Sequence, residues 1–71
     1  MSEYLVIYEK TATGYSTYVP DLPGCITTGQ TLESTRLNMQ EAMEGHLSVM
    51  REFGDPIPQP TTLADRIQIP A

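Results

Sequence analysis

The stretch Gly14-Tyr15-Ser16-Thr17-Tyr18-Val19-Pro20-Asp21-Leu22-Pro23-Gly24-Cys25 decides how this chain folds. Tyr15 to Val19 (YSTYV) is rich in aromatic and β-branched residues and reads as a strand. It runs into Pro20 to Gly24, where two prolines and a glycine in five residues cannot continue a sheet interior. The segment is therefore a rigid corner. Within it Asp21 reads as a turn residue that accepts backbone N–H groups between Pro20 and Leu22. Beyond the corner, Cys25 to Thr28 (CITT) is a short strand ended by Gly29.

Upstream, Glu3 to Glu9 (EYLVIYE) is the first strand, because Tyr4 to Tyr8 are all β-branched, aromatic or leucine. Both of its faces are apolar. One is expected to meet a helix and the other a second subunit or a partner. Lys10 to Gly14 (KTATG) is the hairpin connection, with Gly14 able to supply a positive φ. Downstream, Thr31 is a good helix N-cap and Glu33 suits the positive end of the helix dipole. Leu32, Met39, Ala42, Met43, Leu47, Met50 and Phe53 follow helical spacing, and Gly54 stands where a helix closes, with Pro56 just beyond. The helix of about 22 residues is on the order of 33 Å long, so part of it is expected to overhang the sheet. Asp55 to Pro60 (DPIPQP) is stiff and extended, and Asp65 to Ile69 (DRIQI) can form a short fourth strand with Ile67 and Ile69 on one face. The order β-β-β-α-β is an α+β domain: a small, mainly antiparallel sheet with one long helix on one face.

Length and charge narrow the function. A single domain of 71 residues is marginally stable on its core alone. Cys25 is the only cysteine and His46 the only histidine, so a disulfide and a zinc site are both unavailable as staples, which leaves association between copies. The formal charge is -5, and the four cations Lys10, Arg36, Arg51 and Arg66 are scattered. Direct nucleic-acid binding is disfavoured, and a basic protein partner is favoured. No stretch is long and apolar enough to span a bilayer, the N-terminus does not read as a signal peptide, and the lone thiol suits a reducing cytosol.

The run from Gly14 to Cys25, continued by Thr28-Gly29, the capped helix from Thr31 and Gly54-Asp55-Pro56-Ile57-Pro58-Gln59-Pro60, resembles the signature of HicB-type antitoxins over nearly the whole chain. The resemblance implies a partial RNase H-like fold with three antiparallel strands, a helix, and a last strand beside the first. It also implies a role: HicB-type proteins neutralise HicA, a small basic toxin that cleaves RNA. Many of them carry a second, DNA-binding domain. The 71 residues have no room for one, so operator binding is not expected of this stretch.

The acids do not read as a nuclease centre. The middle of the first strand offers none, while Glu9, Glu41, Glu44 and Asp65 are dispersed, and fold likeness alone carries no activity. Cys25 reads as a small buried hydrophobe, and His46 as a helix-border residue. Neither a catalytic residue nor a cofactor is expected. The candidate partner-binding residues are Tyr15, Tyr18, Asp21, Glu41 and Glu44. The function expected is a cytoplasmic binding module that occludes a small basic HicA-like toxin. The alternative is a stand-alone homo-oligomeric interaction module without a toxin. In either case self-association as a homodimer or larger is expected.

Overall fold

The computed structural model describes residues 2–70. Three short strands, β1 (Ile7–Lys10), β2 (Tyr15–Tyr18) and β3 (Ile26–Gly29), are followed by one helix, α1 (Leu32–Glu52). The strands form an antiparallel sheet in the order β1-β2-β3. Ile7 lies opposite Tyr18 and Lys10 opposite Tyr15, while Tyr18 lies opposite Ile26 and Tyr15 opposite Gly29. The α+β architecture is the one expected from the sequence.

Period-two alternation sorts the sheet residues by face. Thr17 and Val19 are buried toward α1, and Tyr4 and Val6 pack against the same core. Ile7, Tyr18 and Ile26 take the opposite face. The core itself is four residues, Val19, Leu22, Cys25 and Met39, with Ala42, Met43 and Leu47 of α1 packed around it. Three of the four come from the corner and its two flanks. Leu22 is fully buried because the corner folds back on itself: the Leu22 N–H donates to the Val19 carbonyl at 3.0 Å, and the Cys25 N–H to the Leu22 carbonyl at 3.0 Å.

Both helix ends are built from local chemistry. The Ser34 N–H donates to Thr31 Oγ1 at 3.0 Å, and the Thr31 N–H to Ser34 Oγ at 3.1 Å, a reciprocal cap at the N-terminus. At the other end Phe53 is the C-cap and Gly54 follows with φ 70°. The Gly54 N–H reaches the Arg51 carbonyl and the Asp55 N–H the Met50 carbonyl, the paired closure that a glycine at this position permits.

Four details differ from the sequence reading. Pairing in β1 begins at Ile7, so Glu3 to Val6 are unpaired among the described residues. Residues 65–69 form no strand. Leu63, Ile67 and Ile69 are 93%, 80% and 73% exposed, so the last segment lacks the ladder a fourth strand requires. Leu32 and Phe53 follow the helical period yet are exposed, because the strands are too short to reach the ends of α1. Gly14 does not take a positive φ. It is needed for close approach, since a Cβ there would collide with the Gly29 carbonyl oxygen across the sheet.

The Thr17 hydroxyl is buried with no hydrogen-bond partner. A buried, unmatched hydroxyl destabilises, and valine has nearly the same shape. Thr17→Val is therefore expected to raise stability by about 1 kcal/mol, read as a higher urea midpoint at constant slope. Leu22→Ala, which empties the centre of a four-residue core, is expected to cost about 2–5 kcal/mol and to unfold most of the protein at 37 °C.

Candidate functional site

The five residues singled out from the sequence do not converge. Tyr18 is 41% exposed on the sheet face away from the helix. Tyr15 has the opposite strand parity and is half-buried beside the β1–β2 hairpin and the start of α1. Glu41 and Glu44 are exposed on α1, Glu41 beside a hollow lined by Thr27, Asn38 and Ala42.

Asp21 has a different task from the turn role read in the sequence. Its carboxylate reaches across to the segment that follows the prolines. Oδ2 accepts the N–H groups of Thr61 (3.1 Å) and Thr62 (3.0 Å), and Oδ1 accepts the hydroxyls of Thr61 (3.3 Å) and Thr62 (2.7 Å). The hydroxyl and N–H of Thr62, with those of Thr61, hold the Asp21 carboxyl below its ordinary value of 3.8. A second tie lies close by: the Tyr4 hydroxyl donates to the Pro58 carbonyl at 2.5 Å. Asp21 thus clasps the chain to itself.

What the fold does assemble is an apolar surface at the β3 side. Register places Ile7, Tyr18 and Ile26 in one row across all three strands. Ile26 is 66% exposed, and from it the surface turns onto α1 through a hollow of about 360 Å³ lined by Ala42, Gly45, His46 and Val49. Nothing lies within 4 Å of where a Gly45 Cβ would be, so the hollow opens directly over helix backbone. Ala42 also lines the hollow beside Glu41, which places an acid at the rim of an apolar patch. Ile26 and Gly45 escaped the sequence reading. The available signal was Gly45 itself, since a glycine inside a strongly periodic helix costs helix stability and marks a close or open approach.

Cys25 forms part of the floor. It is buried, burial pushes its thiol up, and Sγ donates weakly to Met39 Sδ at 3.8 Å. This is the packing role expected from the sequence, with an unreactive protonated thiol. The described residues contain no group of three metal-ligating side chains, and no helix is long and apolar enough to cross a membrane.

Three comparisons bear on this arrangement. The chain matches the family model described as HicB_like antitoxin of bacterial toxin-antitoxin system over residues 4–71. It is 36% identical over 67 residues to a 14.9 kDa protein from the rep-hol intergenic region of Haemophilus phage HP1, covering 94% of this chain and 50% of the phage protein. It therefore spans half the length of that relative. It is 34% identical over 58 residues to a UPF0150 protein of Thermoplasma acidophilum, covering 80% of this chain and 84% of that one. Among solved structures it is similar to a chain of the HicA3 and HicB3 toxin-antitoxin complex, with TM-score 0.72, 32% identity, and coverage of 83% of this chain and 69% of that one.

The clasp has a pH signature. Because the Asp21 carboxyl is lowered in the folded chain, its contribution is complete above 3.8 and is lost as pH falls through the lowered folded value. Acidification into that range is expected to release the Thr61 and Thr62 amides, seen as faster hydrogen exchange at those two positions before α1 loses protection. Asp21→Asn is expected to produce the same release at neutral pH, by about tenfold, the size of one charge-assisted hydrogen bond.

Proposed function

This chain belongs to the HicB-like antitoxin family of bacterial toxin–antitoxin systems, and from that membership we propose that it binds a small basic HicA-type RNA-cleaving toxin in the cytoplasm and occludes it without any bond-breaking step of its own. The observation that carries this reading is the likeness, in fold and in a third of its residues, to a chain of a HicA3–HicB3 complex.

The surface chemistry supports it. A net charge of -5 attracts a cationic partner and speeds encounter. Exposed acids on α1, Glu41 and Glu44 among them, supply part of that field. Slow release then needs apolar burial near the centre of the contact, and the row through Tyr18 and Ile26 with the hollow beside Gly45 offers it. Glu41 sits at the rim of that patch, where a charge sets the rate of capture more than its tightness. The dispersed carboxylates suit attraction and not chemistry. Asp21 is engaged by Thr61 and Thr62, and Glu41 and Glu44 stand on the helix surface.

The test pairs the purified chain with a small basic HicA-type toxin, sought first in a short basic reading frame adjoining its gene. A stoichiometric complex and protection of RNA from cleavage are expected. Gly45→Leu adds a side chain into open space and improves helix propensity by about 1 kcal/mol. It is therefore expected to raise the melting temperature while weakening toxin binding at least about tenfold by filling the hollow. Glu41→Gln with Glu44→Gln is expected to slow association several-fold at low salt and to leave dissociation nearly unchanged. Recovery of no basic partner, or RNA cleavage undiminished by an excess of the chain, would overturn the proposal.

A further inference from the structure

The segment after the clasp is built like a strand and is paired with nothing among the described residues. Residues 63–70 carry no ladder, and Leu63, Ile67 and Ile69 expose most of their surface. The chain is correspondingly open: its radius of gyration is 13.9 Å, against about 11 Å for a compact chain of this length. Apolar residues at a spacing of two on an extended segment are the pattern of a strand that buries one face.

The fold also holds an unused place for such a strand. The two edges of the sheet are unequal. At the β3 edge Asn38 Nδ2 donates to the Thr28 carbonyl at 2.9 Å, so α1 caps part of that edge. The β1 edge has no such cover among the described residues. Beside it, on the helix side, is a hollow of about 380 Å³ lined by Tyr4, Val6, Tyr8, Met39 and Met43, with Arg36 and Gln40 of α1 also on its wall. It opens onto the core residue Met39.

Charge selects the register. With the tail antiparallel to β1 and Asp65 opposite Lys10, Arg66 falls opposite Glu9, Ile67 opposite Tyr8 and Ile69 opposite Val6. Both charge pairs are then of opposite sign. Paired residues share a face, so the two isoleucines meet Tyr8 and Val6 on the side that carries the hollow. Pro70, which cannot donate to a ladder, falls at the end of the paired stretch.

The chain's own tail cannot reach that register. Tyr4 is bonded to Pro58, and Thr62 is held by Asp21, so the tail starts from the Tyr4 end of the first strand. From Thr62 to Asp65 is three residues, about 10 Å, whereas Tyr4 to Lys10 is six residues, about 20 Å. The tail passes its own strand with Ala64 to Arg66 across a hollow from Leu5 to Tyr8, and among the described residues no backbone hydrogen bond bridges it. A second copy is free of this tether.

We propose that two copies of this chain exchange residues 64–70, each tail adding an antiparallel strand to the β1 edge of the other and seating Ile67 and Ile69 over Tyr8 and Val6. The exchange is reciprocal, so it closes at two copies, and it uses the β1 edge, leaving the β3 surface free. It does not depend on the toxin reading, and its test contains no toxin.

Lys10→Cys with Asp65→Cys, oxidised mildly in the 71-residue chain, is expected to give a covalent dimer on a non-reducing gel. A cross-link within one chain, or none, would overturn the proposal. Sedimentation of the unaltered protein at tens of micromolar is expected to show a dimer, and a monomer there would overturn it. Ile67→Asp with Ile69→Asp changes only exposed residues of the single chain and is expected to yield monomers with unchanged helical circular dichroism. A dimer that survives it counts against the exchange. Lys10→Asp is expected to weaken dimerisation about tenfold, and adding Asp65→Lys to restore it. Failure of that rescue would refute the register.

Discussion

Four buried side chains, Val19, Leu22, Cys25 and Met39, hold the sheet to the helix, and the rest of the molecule is arranged around how little they cover. Three belong to the corner and its flanks, and only Met39 comes from α1. The corner is rigid because two prolines and a positive-φ glycine leave it few alternatives, so Leu22 enters the core at small entropic cost. The same rigidity turns the Asp21 carboxylate outward, where it gathers Thr61 and Thr62. One local constraint thus sets the core and also the point from which the C-terminal segment departs.

A single helix can shield only one face of a three-stranded sheet. The uncovered face carries Ile7, Tyr18 and Ile26, and the two edges differ because α1 leans toward β3, where Asn38 bonds the Thr28 carbonyl. Apolar surface therefore remains at opposite ends of the sheet. At the β3 side it is a shallow patch with an acidic rim, suited to a cationic protein partner. At the β1 edge it is a slot with backbone groups to offer, suited to another strand. A domain this small would gain from both proposed contacts, because each would add the apolar burial that its own core lacks.

In the proposed reading the negative charge serves attraction and also restraint. Carboxylates spread over the surface keep exposed apolar patches from associating indiscriminately. The one carboxylate with several hydrogen-bond donors around it, Asp21, is used to position the chain. That division explains why the acids do not gather into a reactive cluster and why the unreactive, protonated thiol of Cys25 is tolerated in the core.

The sequence by itself determined the element order, the corner, both helix caps and the family likeness, because each rests on local chemistry: prolines at set positions, a threonine before a helical period, a glycine after it. It also marked Tyr18 as a strand residue and a candidate partner contact. It did not reveal that Tyr18 shares a row with Ile7 and Ile26, because register is a property of paired strands and not of any one of them. It assigned Asp21 to its own turn, whereas the carboxylate bonds residues forty positions away, a contact no local pattern encodes. The apolar alternation of residues 65–69 was legible as a possible strand, yet whether a strand forms depends on an edge within reach. Only the tertiary structure decided that the chain's own tail runs alongside β1 without pairing, because the clasp fixes where the tail begins.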